Sequence, residues 1–146
     1  MNLYGEDSGK VFDYGNATSE QKNENLKKVL DPHTCNYPPV RKTCYELGYW
    51  RKHPNLHGYI VRNFAEDGDD NCKPIWLTKD NLETLREAIK SDAIHDEQTT
   101  GFFFGESERD EDTKQRDIAI IDNAIKWLKE KERGKNWANV YYCAEW

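Results

Sequence analysis

Thr113-Lys114-Gln115-Arg116-Asp117-Ile118-Ala119-Ile120-Ile121-Asp122-Asn123-Ala124-Ile125-Lys126-Trp127-Leu128-Lys129-Glu130-Lys131-Glu132 is the most strongly periodic stretch of the chain. Ile118, Ile121, Ile125 and Leu128 fall on one helical stripe, which Ala124 and Trp127 widen. The spacing predicts a helix over about 113–132, stopped by Gly134. Asp110, Glu111 and Asp112 precede it, where the helix dipole favours negative charge. A second stripe of Leu82, Leu85, Ala88 and Ile89 follows Thr78, a natural cap.

Working towards the N-terminus, Trp50, His53, His57, Ile60, Val61 and Phe64 form a third stripe. Pro54 interrupts it, so this helix either begins near Lys52 or is kinked there. A fourth helix is expected after Thr18 or Ser19, carrying Leu26, Val29 and Leu30 and ending before Asp31-Pro32. Residues 1–18, rich in Gly, Asp and Asn, read as an irregular lead-in, and residues 31–43 and 95–101 as loops. Lys73-Pro74-Ile75-Trp76-Leu77 suits an edge strand, and the Val- and Tyr-rich tail from Trp137 to Cys143 a further strand. The expected fold class is α+β. It is a single helix-dominated domain over 19–146, with about four helices, two or three short strands and a core on the stripes of 50–64, 82–89 and 118–128.

The 146 residues fit one domain. Charged residues reach 33% and apolar ones only 36%, but an aromatic share of 12% supplies large buriable surfaces and argues for a packed fold. The net charge of −6 is unevenly spread. Residues 66–112 hold five basic and fifteen acidic side chains, a balance of −10, and the flanking parts sum to +2 each. Such a chain is a poor ligand for duplex nucleic acid, which needs clustered Lys and Arg. A focused acidic surface can attract a basic partner or mimic nucleic acid, and its simplest reading is a solvated, solubilising face. No segment approaches the roughly 20 apolar residues of a membrane span, and Met1–Asp7 lacks the features of a signal peptide, so a cytoplasmic location is expected.

Cys35, Cys44, Cys72 and Cys143 are then expected as free thiols. A zinc site built from His33, Cys35, Cys44, His53, His57 and Cys72 has none of the usual spacings. Glu66–Asp70 and Glu106–Asp112 are acidic clusters without a calcium-loop pattern. Phosphate loops, nucleophile elbows and His-Glu-x-x-His are absent. The chain is expected to need no cofactor, metal or disulfide.

Three segments carry candidate binding residues. Tyr49-Trp50-Arg51-Lys52 with His57 joins aromatic rings, cations and an imidazole, a set that could hold an anion or stack on a base. The three rings of Gly101-Phe102-Phe103-Phe104-Gly105 cannot all face one side of a strand, so the segment is either a strand buried on both faces or carries an outward ring, with Phe103 then a candidate anchor. Glu106, Glu108 and Asp110 follow it and would attract a basic patch.

Tyr49-Trp50-Arg51-Lys52 with Leu56-His57, then Asp70-Asn71-Cys72, then Gly101-Phe102-Phe103-Phe104-Gly105 before an acidic helix start, resembles a family of small proteins carried mainly by bacteriophages and prophages. The resemblance covers about residues 47–132. His53-Pro54-Asn55 and Tyr59 depart from the family's wording, as do Arg109 and Asp112, which stand where the family has tyrosines. The family is of uncharacterised function. What it implies is a phage origin and action in the host bacterial cytoplasm, and no particular reaction. The leading expectation is a phage accessory protein that binds a host or phage macromolecule, in host takeover or against a defence system. One alternative is a small nucleotide-binding protein or enzyme using Arg51, Lys52 and His57, and another is a minor virion or assembly protein.

Overall fold

A computed structural model describes residues 1–7, 42–66, 73–96, 110–134 and 137–144. The expected helix after Thr18, most of the 31–43 loop, the Gly101–Gly105 segment and the acidic run through Glu108 lie outside these residues.

The fold is α+β. Strands β1 (Asn2–Asp7), β2 (Thr43–Tyr49), β3 (Ile75–Leu77) and β4 (Ala138–Cys143) form one antiparallel sheet in the order β2-β1-β4-β3. Helices α1 (Pro54–Phe64), α2 (Lys79–Lys90) and α3 (Glu111–Arg133), with a 3-10 turn at Ala93–His95, are the helical elements among the described residues. Two of the expected strands are therefore joined by two more.

The first departure is at the N-terminus. The lead-in expected over 1–18 is, at Asn2–Asp7, an inner strand, β1, paired with β2 and β4. The residues that read as breakers serve packing. A Cβ on Gly5 would stand 2.9 Å from the Trp127 ring and from Leu47, so the glycine is what lets α3 lie close to the sheet. Asp7 is buried and forms an ion pair with Lys131 of α3.

The second departure is at Trp50. It follows β2, whose line it extends by donating its backbone N–H to Met1 O at 2.8 Å, and it lies outside the helix whose stripe it was expected to open. Lys52 then turns the chain with φ of 56°. Pro54 stands at the first helical position, where its missing N–H costs no helical bond and no kink follows. His53 caps α1 through its side chain, which accepts the Leu56 N–H at 3.3 Å.

The remaining elements match the local signals. Thr78 caps α2, and Leu82, Leu85, Ala88 and Ile89 are buried. Asp110 caps α3, so that helix begins two residues before 113, and Gly134 follows its end. Ile121, Ala124, Ile125 and Leu128 are buried, Ile118 only partly. Alternation along the strands sends Leu3, Ile75, Leu77, Val140 and Tyr142 into the core beneath the helices.

Both sheet edges are blunted. β3 has three residues and follows Pro74 directly. In β2 the register shift opposite Leu3 and Tyr4 leaves Leu47 as a bulge. Short strands, prolines and bulges are the usual guards against edge-to-edge pairing.

Candidate functional site

The residues nominated from sequence go to three different environments. Tyr49 ends β2 and is 55% exposed, and Arg51 and Lys52 are exposed in the turn that follows. Trp50 and His57 are buried. Asp110 is exposed at the start of α3, and Phe103, Glu106 and Glu108 lie outside the described residues.

The buried members belong to interior networks. His57 Nδ1 is 2.9 Å from the Tyr142 hydroxyl, tying α1 to β4. Asp117, only 1% exposed, is the centre of a second network that the sequence did not announce. Its Oδ1 accepts the Trp50 indole N–H at 2.9 Å, and its Oδ2 lies 2.8 Å from His53 Nε2. Because His53 Nδ1 accepts from Leu56 N–H, the ring proton of the neutral imidazole sits on Nε2 and is donated to the carboxylate. Both nitrogens of His53 are thus engaged, Nδ1 in capping α1 and Nε2 in fixing it to α3. A cavity of about 80 Å³ lies beside them, lined by His53, Asp92, His95, Asp110, Thr113 and Asp117 among others. The His53 and His95 rings, both in its lining, have centroids 6.4 Å apart at an interplanar angle of 23°. Asp110 accepts from Thr113 N–H at 2.8 Å and from Thr113 Oγ1 at 2.9 Å, and these bonds hold its carboxyl below the usual range. Lys114 pairs with Asp92 at 3.1 Å. Among the described residues no group of three or more His, Cys, Asp or Glu could hold a metal ion.

The opposite face of the sheet is different. Register and alternation place Trp76 of β3, Tyr141 of β4 and Tyr4 of β1 side by side on it. Ring centroids are 5.1 Å apart from Trp76 to Tyr141 and 5.3 Å from Tyr141 to Tyr4, with interplanar angles of 58° and 33°. The rings lean on one another as a ridge instead of presenting one flat platform. Tyr4 and Tyr141 are half-buried, but Trp76 is 49% exposed at the end of the row. The Tyr141 hydroxyl meets Cys44 Sγ at 3.4 Å, and this contact, with burial, raises its pKa well above that of a free tyrosine. Asn2 donates to the Tyr4 hydroxyl at 3.0 Å. Lys42 pairs with Glu6 at 3.2 Å and stands 5.8 Å from the Trp137 ring centroid. Clefts of about 360 Å³ and about 230 Å³ both have Trp76 in their walls.

The sequence does not announce this ridge, because residues 2–7 carry no strand signal and Tyr4 joins the row only through the pairing of β1 with β4. One signal was available, an exposed aromatic between two inward apolar residues in Ile75-Trp76-Leu77. No helix among the described residues is long and apolar enough to cross a membrane. Compared with protein-family models, curated proteins and solved structures, the chain gives no match.

Proposed function

We propose that this chain is a phage accessory protein that binds a basic protein partner in the host bacterial cytoplasm, with Trp76 and its row of rings as the anchoring surface. The observation that carries the reading is the half-exposed Trp76 at the end of the Trp76–Tyr141–Tyr4 ridge. Large, rigid aromatic side chains are the residues that most often dominate protein interfaces. The tilt between the rings favours a protein over a base or sugar, which would need a flat face to stack on. The net charge of −6 favours a basic partner, and the acidic residues of 66–112 supply long-range attraction. The blunted sheet edges favour recognition by the face over strand addition. Catalysis through His53 or His57 is disfavoured, since the two rings tie α1 to α3 and to β4.

The test is a photo-crosslinking amino acid at position 76 in bacteria, with position 123, exposed on α3, as the control. A protein adduct specific to position 76, reduced by Tyr141→Ala, is expected. Equal labelling from both positions, or none, overturns the reading.

A further inference from the structure

We infer that the larger cleft beside Trp76 is a seat for one lysine or arginine side chain of the partner. This inference rests on the outer-face reading and names the chemistry that the surface recognises.

The cleft opens where β3 ends. β3 pairs with β4 only as far as Leu77 opposite Val140, and the chain then turns at Thr78 into α2. Ala138 and Asn139 of β4 are left without a β3 partner, and both line the cleft. Leu77, Leu128, Ala138 and Val140 are its apolar lining, and the exposed Trp76 and Glu132, near the end of α3, line it as well. A cleft that combines apolar side chains, an exposed ring and a carboxylate suits a side chain that has a hydrocarbon stem and a cationic head. Its volume of about 360 Å³ leaves room for such a side chain.

The charges in the walls support this occupant. Lys79 also lines the cleft, but its ammonium lies 3.9 Å from Glu83, along its own helix. Glu132 has no ion-pair partner among the described residues, so an incoming cation has a carboxylate to meet. The same chemistry already operates within the chain. Lys131 stands over the Tyr45 and Trp127 rings at 5.2 and 5.3 Å, and Lys42 stands over Trp137.

The experiment uses the full chain and a capped pentapeptide, Thr-Val-Arg-Val-Thr, with norleucine- and glutamate-centred peptides as controls. The readout is the Trp76 indole N–H resonance, assigned by its loss in Trp76→Phe. Saturable movement with the arginine peptide is expected, with at least about tenfold weaker binding for norleucine. Glu132→Gln should weaken the arginine peptide about three- to fivefold, the range of an exposed ion pair. Glu132 is exposed, so this variant should keep the rest of the spectrum. Equal response to norleucine, no response to arginine, or indifference to Glu132→Gln overturns the inference. A position-76 adduct in cells with an unmoved Trp76 resonance would overturn the cleft assignment alone. Failure of the adduct with a responsive resonance would overturn the outer-face reading and leave the cleft.

Discussion

His53 and Asp117 are 64 residues apart in the chain, yet His53 Nε2 and Asp117 Oδ2 lie 2.8 Å apart in the interior. The bond joins the cap of α1 to the second turn of α3, and the Trp50 indole reaches the other carboxylate oxygen. Three elements that share no local signal are held in one arrangement by a single side chain.

Removing that carboxylate should therefore be costly. Asp117→Ala leaves two buried donors without their acceptor, and each such orphan costs about 1–3 kcal/mol. A loss of about 2–4 kcal/mol is expected in urea unfolding with an unchanged slope. A loss under about 1 kcal/mol would mean that the network is incidental.

The His57–Tyr142 bond should behave as a coupled pair. His57→Ala should cost about 1–3 kcal/mol through lost packing and the lost bond to the Tyr142 hydroxyl. Tyr142→Phe removes the hydroxyl alone and should cost less. A double-mutant cycle should return a coupling of about 0.5–1.5 kcal/mol. A coupling of zero, or wild-type stability with a lost activity, would count against a structural role.

Gly48 lies under α3, where an added Cβ would overlap the Ile120 side chain. Gly48→Ala should destabilise by about 1–3 kcal/mol through overpacking. Ile120→Ala in the same chain should recover part of that loss, which thermal unfolding of the two variants can show. Equal stability of Gly48→Ala and wild type would contradict the close approach.

Two groups set pH dependences of opposite direction. The Asp110 carboxyl is held low by Thr113, so its contribution is present above the unfolded value of about 3.9 and fades as pH falls through the lower folded value. Exchange of the Thr113 amide should rise in that acid window. Tyr141 is raised by its contact with Cys44, so above about pH 10 the unfolded chain gives up a proton that the folded chain keeps, and stability falls. Ultraviolet titration should show a late tyrosine ionisation, and Cys44→Ala should move that ionisation to lower pH.

Charge reversal at Glu106 and Glu108, with the α3 cap Asp110 left in place, should slow association with the partner most at low salt and leave folding nearly intact. An on-rate indifferent both to the reversals and to ionic strength would reduce that acidic segment to a solubilising surface.

The sequence by itself determined the elements whose signals are local. The stripes of α2 and α3, the Thr78 cap and the Gly134 stop act within one or two helical turns, so they can be read without knowing the partner. Ile75–Leu77 and the Tyr-rich tail were legible as strands by alternation. Tertiary structure alone decided the rest. β1 is a strand because β2 and β4 supply its hydrogen bonds from far along the chain, and Gly5 is tolerated there because Trp127 fills its space. Asp117 reads as one more charge on a helix, and only the arrival of Trp50 and His53 makes its burial affordable. The outward ridge likewise exists only once three separate strands are in register, because cross-strand neighbours are set by pairing and not by sequence distance.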